Sequence, residues 1–387
     1  MHKQRVLIVH NYYQTPGGED TVVANEKKML EDNGHKVFMY TRHNDEIKNR
    51  GILGKIKLPF ETIYSFKTKR EVKRIIKDNK IDIVHVHNTL PLISPSVYWA
   101  AKECGVKVVQ TIHNFRFLCP AATFVCKGQI CEKCLTNGLK CAVKNKCYRD
   151  SRIQTLIVVF MLKINRSIGN YSKVDSYIAL TKFSKNKMSK FICEDKIMIK
   201  PNFTEKENIE ILSAQDRKYF IFVGRLDKLK GIEVLLKTWK DIKNEKLLIV
   251  GTGPEEENIK KFIELNKINN IELYGSANNF EVKKLISEAK SLIMPSIWYE
   301  TFGMVNIEAF SVGTPVIASE IGALNDIVNN DNGMTFKPYS LEELRICINK
   351  FSNIETLSSY IQNVSKDYQK KYTNKENYKI LLDIYKI

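Results

Sequence analysis

Twice in this 387-residue chain an apolar strand runs into a glycine-bearing loop and then an amphipathic helix, and that repeated unit admits few folds. The first copy is Arg5–Val9, then Gly17 and Gly18, then a helix expected from about Asp20 to Asp32 that Gly34 closes. The second is Tyr219–Val223, the loop Gly224 to Gly231, and a helix to about Lys240. A strand that is followed by a helix returns as a parallel strand, so each copy predicts the opening of its own Rossmann-like, doubly wound sheet. Further strands are expected at Val37–Tyr40, Asp82–His87, Lys107–Thr111 and Ser176–Leu180, and then at Lys246–Val250, Asn270–Leu273, Leu292–Met294 and Pro315–Ala318. The length exceeds one common core. The expected domains are therefore α/β units over 1–200 and 201–373, with a linker from Lys200 to Arg217 and a last helix, 374–387, packing back on the first domain.

Charge separates the halves. Net charge is +18, yet residues 1–200 hold 36 Lys+Arg against 17 Asp+Glu while the rest hold 25 against 26. A one-sided excess is a statement about partners. The basic residues Lys55, Lys57, Lys67, Lys69, Arg70, Lys73 and Arg74 lack the aromatic interleaving of a nucleic-acid module, so an anionic membrane surface is favoured over nucleic acid. The opening MHKQRVLIVHNYY reads as a buried strand rather than a signal peptide, so a cytoplasmic chain is expected, and the basic excess leads to the expectation that it is peripheral on the inner face of the plasma membrane. The longest apolar run, Leu156 to Leu162 between Arg152 and Lys163, falls short of the ~20 residues a spanning helix needs. It is either a core helix or an interfacial one.

Candidate chemistry gathers at the carboxyl ends of expected strands, where unpaired N–H groups and helix dipoles favour polar or anionic ligands. Glu300 lies in the loop after Leu292–Met294, and Glu308 lies on the following helix, eight residues on. One can accept from sugar hydroxyls and the other from a ribose diol, or both are solvated charges. Arg225 and Lys230, five residues apart after Gly224, suit a pyrophosphate or simply a lysine-rich loop. Gly251-Thr252-Gly253-Pro254 fits close approach to a nucleoside or a plain strand-to-helix turn. His113 follows a strand at the same kind of edge, and a lone histidine there is either structural or part of a site. His85 and His87 alternate along one strand as packing or cleft-lining residues of no assigned role.

Six of nine cysteines fall within 119–147, in an insertion, 119–150, with little helix or strand pattern. Cys131 and Cys134 have zinc-knuckle spacing, and without an export signal disulfides are disfavoured. The expected structural zinc sits on Cys119, Cys131, Cys134 and Cys147, with Cys126 and Cys141 as alternates; free thiols and a redox pair are the competing readings.

In order and spacing, the Gly17-Gly18-Glu19 loop, the His-Asn after a strand, GRLDxxKG, IVGTGP and ETFGMVNIEAFSVGTPVIAS resemble family 4 retaining glycosyltransferases of GT-B fold, over nearly the whole chain. The resemblance implies an active cleft between two Rossmann-like domains and a metal-independent hexosyltransferase. Glu300 would contact donor sugar hydroxyls, Thr301, Phe302 and Gly303 would offer backbone donors, and Glu308 would hold the ribose. Arg225 and Lys230 would bind the diphosphate of a UDP- or GDP-sugar, with Gly17, Gly18, Gly224, Gly251 and Gly253 in the donor site and His113 touching the transferred sugar. The absence of an Asp-x-Asp pair agrees with catalysis that needs no cofactor. The acceptor would be a saccharide, lipid-linked or free, in bacterial capsule, O-antigen or exopolysaccharide synthesis. A GT-B nucleotide-sugar epimerase and a non-catalytic zinc-bearing membrane or RNA adaptor are the alternatives.

Overall fold

Strands that return parallel need crossovers above the sheet, and both halves of the chain supply them with helices. The computed structural model describes residues 3–14 and 17–386, with Lys55 by its backbone only. It divides into two units, Met1–Lys200 with Tyr378–Ile387, and Pro201–Asn377.

In the first unit β1 (Arg5–Tyr12), β2 (Lys36–His43), β3 (Ile83–Val86) and β4 (Lys107–Ile112) precede a small antiparallel hairpin of β5 (Val125–Cys126) and β6 (Gln129–Ile130). With β7 (Ser176–Ala179) and β8 (Ile197–Ile199) they make a six-stranded parallel sheet in the order β2-β1-β3-β4-β7-β8. The second unit lays β9 (Tyr219–Val223), β10 (Leu247–Val250), β11 (Ile271–Gly275), β12 (Ala289–Met294), β13 (Val316–Ser319) and β14 (Gly333–Phe336) in the order β11-β10-β9-β12-β13-β14, again all parallel. Val6 to Val9 are wholly buried, as a central parallel strand covered on both faces requires. The winding reverses between β1 and β3 in one sheet and between β9 and β12 in the other. At such a switch point the following loops part and leave a crevice at the carboxyl edge.

Two strands escape the sequence pattern. β8 is three residues long, and β14 begins at Gly333, where a Cβ would stand 2.1 Å from Val316 O. The expected linker is corrected, because the chain divides at Lys200 and the segment after it packs within the second unit. There Phe203 is buried, Tyr368 donates to Thr204 O at 2.8 Å, and buried Arg217 donates to Ala289 O, Thr314 Oγ1 and Gly313 O at 2.6, 2.7 and 2.9 Å. A polar composition disguised it, since its partners are backbone carbonyls. The insertion also holds more structure than its pattern suggests: the β5–β6 hairpin and helices Lys133–Thr136 and Lys140–Lys144.

The last helix, Asn374–Lys386, lies along the first unit from Tyr378 onward; Ile387 is outside the described residues. Tyr385 OH is 2.9 Å from His85 Nδ1, Tyr378 OH is 2.8 Å from His35 Nε2, and Lys107 Nζ donates to Ile384 O at 2.9 Å. Helix Arg152–Ser167, which carries the longest apolar run, is buried on one face and exposed on the other. Val158, Val159, Met161 and Leu162 are core, while Ile153, Leu156, Phe160 and Ile164 face solvent.

Backbone packing between loops fixes the second edge. Gly231 has φ +72°, and a Cβ there would lie 1.7 Å from Pro295 O, so the loop after β9 rests directly on the loop after β12. Gly231→Ala should cost at least about 2 kcal/mol in urea unfolding. Gly51→Ala, at φ −61° with nothing within 4 Å, should cost no more than about 1 kcal/mol.

Candidate active site

The loops leaving β9 and β12 are pinned together where Ile297 N donates to Leu229 O at 2.9 Å. This contact sets Lys230 against Glu300, with Nζ 2.6 Å from Oε1. The same oxygen accepts from Ser296 Oγ and Trp298 Nε1, both at 2.9 Å. Asp227 shapes the turn that carries the lysine by accepting from Leu229 N at 3.0 Å, and the ammonium lies 5.6 Å from the Trp298 ring centroid. The Glu300 side chain is only 7% exposed, and three donors converge on one oxygen. Oε2 takes no hydrogen bond among the described residues and is free to accept one from a ligand.

The other sequence candidates in this unit divide by their surroundings. Arg225 is 68% exposed, 3.9 Å from Asp227, and does not join the Lys230–Glu300 network. Gly303 caps helix Met304–Ser311 at φ +78°, Thr301 is half-buried beside it, and Phe302 is buried edge-on against Tyr372. Glu308 sits half-buried on that helix; burial pushes its carboxyl above the usual range, with Lys283 pulling the other way. Its carboxylate accepts no hydrogen bond among the described residues. Gly251 and Gly253 owe their missing side chains to the protein itself, since a Cβ would stand 2.0 Å from Gly224 O and 2.4 Å from Leu226 O. Gly251 and Gly253 thus serve the packing of one loop on another.

At the edge of the first sheet, Gly17 and Gly18 open helix Gly18–Asp32, and Gly17 N donates to Asp20 Oδ2 at 3.0 Å. The other oxygen of Asp20 is 2.7 Å from His10 Nε2. Glu19 beside it is pushed up to about 8 by burial and by Asp20, against Arg116. His113, at the end of β4, meets His87 with Nε2 2.9 Å from Nδ1. Behind them Glu26 Oε2 is 3.1 Å from His87 Nε2 and 3.8 Å from His85 Nδ1, while Glu26 Oε1 is 2.5 Å from Lys200 Nζ. Burial alone would raise the Glu26 carboxyl; Lys200, His85 and His87 outweigh it and hold the group well below the usual range. Among the described residues only Glu26, His85 and His87 bring three metal-ligating atoms within 4.8 Å of one another. A metal ion is ill suited to that place, because the Lys200 ammonium already supplies the positive charge.

The cysteines of the insertion are all reduced, Cys119 buried and Cys126, Cys131, Cys134, Cys141 and Cys147 half-buried. Burial, with Cys119, Cys131 and Cys141, pushes Cys134 up to about 12; burial, with Cys126, Cys119 and Cys134, does the same to Cys147. The thiols are therefore neighbours, although no three of them approach as closely as the Glu26 trio.

The first half of the chain matches the family described as Glycosyltransferase Family 4 over residues 16–208, and the second matches Glycosyl transferases group 1 over residues 203–368. The chain is a family 4 glycosyltransferase. Its two parallel-sheet units are those of the GT-B fold. An Anabaena protein solved in complex with UDP-glucose superposes with a TM-score of 0.66 at 15% identity, covering 99% of this glycosyltransferase and 100% of that chain. An uncharacterized 42.6 kDa protein in the cps region of Klebsiella pneumoniae is 26% identical over 322 residues, 80% of this chain and 79% of that one. An alpha-monoglucosyldiacylglycerol synthase of Acholeplasma laidlawii is 24% identical over 402 residues, 96% of this chain and 95% of that one.

Sequence reasoning missed Glu26, Lys200, His10, Glu19 and Asp20 in the glycosyltransferase, and Ser296 and Trp298 around Glu300. Glu26 had left a signal, a carboxylate in the middle of the buried stripe Val22, Val23, Met29 and Leu30. The partners of Glu300 had left none, since Ser296 and Trp298 look like ordinary loop residues.

His85 yields a pH prediction. Burial, against the pull of Glu26, drives its imidazole down to about 3, whereas the unfolded side chain titrates near ~6.5. Between those values the unfolded state binds the extra proton, so stability is fully present above pH ~6.5 and declines as pH falls toward about 3. Thermal melts from pH 7.5 to 4.5 should show that decline, by up to ~1.4 kcal/mol per unit from this group. His85→Gln should make the decline shallower, His113 and His10 still contributing to it; an unchanged slope would refute the assignment.

Proposed function

We propose that this glycosyltransferase moves a sugar, with retention at the anomeric carbon, from a nucleotide-sugar donor bound by the second unit to a saccharide acceptor received by the first. The observation that carries the reading is the Lys230–Glu300 pair at the switch point of the second sheet, a fixed cation beside a carboxylate with one oxygen unused. Lys230 takes up the charge of the departing diphosphate, with Arg225 swinging in from solvent, while Glu300 accepts from hydroxyls of the sugar. Backbone groups of Thr301 to Gly303 assist, Glu308 receives the ribose diol for which its unoccupied carboxylate is suited, and Gly17, Gly18 and His113 complete the donor contacts from the first unit. The diphosphate deprotonates the acceptor on the face it leaves. Fixed cations and helix N-termini then do the work of a divalent ion.

A UDP- or GDP-sugar is the donor class; the Anabaena complex with UDP-glucose supports the former. The Klebsiella relative from a cps region supports surface-polysaccharide assembly, and the Acholeplasma relative, named for a diacylglycerol glycolipid, supports a lipid-linked acceptor. No helix among the described residues is long and apolar enough to cross a membrane. Two neighbouring helices of the first unit instead expose apolar stripes, Ile52, Leu53, Ile56 and Phe60 on Ile52–Ile63, and Ile153, Leu156, Phe160 and Ile164 on Arg152–Ser167. Lys57, Lys67, Arg152 and Lys163 stand exposed around them. This is the composition of a surface that lies in an anionic leaflet. A zinc ion on Cys119, Cys131, Cys134 and Cys147, cross-linking the insertion, belongs to the same proposal, and metal analysis of the purified protein tests it.

Thermal shifts with UDP-, GDP- and ADP-sugars test the donor, a ligand at 100 times its dissociation constant adding ~2.7 kcal/mol. Lys230→Ala should lower turnover at least ~100-fold with the fold retained, and intact turnover would sink the mechanism. Ile153→Asp with Phe160→Asp should abolish co-sedimentation with phosphatidylglycerol vesicles while nucleotide binding persists.

A further inference from the structure

Behind the edge of the first sheet lies a file of buried titratable groups that the reaction as proposed does not use. Lys200 Nζ is 2.5 Å from Glu26 Oε1, Glu26 Oε2 is 3.1 Å from His87 Nε2, and His87 Nδ1 is 2.9 Å from His113 Nε2. Glu26 is fully buried, Lys200 and His87 nearly so. The rings of His87 and His113 lie within 21° of parallel, and His85 beside them is occupied on both nitrogens, by Tyr385 OH at 2.9 Å and Thr111 Oγ1 at 2.8 Å. Each link restricts the next. A carboxylate beside an ammonium stays ionised and only accepts, so the His87 nitrogen facing it must carry the proton. With that as its single proton, His87 is bare at Nδ1, and the nitrogen of His113 that meets it at 2.9 Å must donate.

We propose that Glu26 is a positioning residue for the transfer reaction: acting through His87, it fixes His113 with its proton on Nε2 and leaves Nδ1 as a hydrogen-bond acceptor for a hydroxyl of the transferred sugar. Nδ1 of His113 makes no hydrogen bond among the described residues. Burial also holds the His113 imidazole well below its ordinary range, with His87 adding to the effect, so the ring meets its ligand uncharged. The ammonium of Lys200 has a second part here, because it determines which way any residue replacing Glu26 must face. In a Glu26→Gln protein Lys200 claims the amide oxygen, the amide N–H turns to His87, and the file reverses: His87 becomes protonated on Nδ1 and His113 on Nδ1. The inference rests on the reading that His113 meets the sugar, and its tests separate the two.

The decisive measurement is the nitrogen spectrum of histidine-labelled full-length protein at pH 8. Wild type should show His113 protonated at Nε2 and bare at Nδ1; the opposite tautomer overturns the proposal without recourse to any variant. Glu26→Gln should invert that tautomer, and should slow release of nucleoside diphosphate from UDP-glucose, UDP-N-acetylglucosamine or GDP-mannose, whichever the wild type cleaves, by at least ~10-fold, a wrong histidine tautomer being costly in other enzymes. Affinity for the free nucleoside diphosphate should stay unchanged, which a general loss of structure would not allow. Adding Lys200→Met frees the amide to turn its oxygen toward His87 and should restore both tautomer and rate in part. An unaltered tautomer in Glu26→Gln, or an inverted tautomer with full turnover, refutes the role of Glu26. Full turnover in His113→Ala would instead refute the sugar contact while leaving the tautomer result standing.

Discussion

One interaction recurs at the carboxyl edge of each sheet: a buried carboxylate held by a single ammonium, Glu26 with Lys200 at 2.5 Å and Glu300 with Lys230 at 2.6 Å. Removing one member of the fully buried Glu26–Lys200 pair costs about 3–5 kcal/mol, because the other charge is left buried and alone. Neither pair exists for stability alone. In the second unit the pair ties the loop after β9 to the loop after β12, and in the first it ties helix Gly18–Asp32 to the residue where the unit's first segment ends. Each holds rigid the polar groups proposed to meet a ligand, and a preorganised site needs such rigidity.

The second unit was more legible in the sequence than the first. Its glycines, Lys230 and Glu300 fall in short segments between obvious strands, so linear spacing carried the geometry. The reasons for the glycines were less legible. Gly251 and Gly253 have the look of a nucleotide turn, yet their missing Cβ positions are filled by the carbonyls of Gly224 and Leu226. In the first unit the file from Lys200 to His113 joins residues 26, 87, 113 and 200, and no local window contains two successive members of it. The parallel order β3-β4 sets His87 beside His113, while Glu26 comes from helix Gly18–Asp32 and Lys200 from just past the end of β8.

The apolar run at Leu156–Leu162 shows why periodicity left two readings open. A helix that is core on one face and exposed on the other gives the same apolar density as a buried one, and the decision depends on what lies beside it. Here helix Ile52–Ile63 is the neighbour, and its own stripe also points outward. The two stripes enlarge each other, and an apolar face of this kind is uncommon on a protein that remains in bulk water.

The C-terminal helix has a consequence in time. Tyr385 reaches His85 in the middle of the first sheet, and Lys107 is capped by carbonyls of Ile384 and Tyr385. The first unit therefore waits for residues from Tyr378 onward before its core is complete, whereas the segment from Pro201 to Asn377 has every strand it needs as soon as it clears the ribosome. On the nascent chain the later half is the one equipped to fold first.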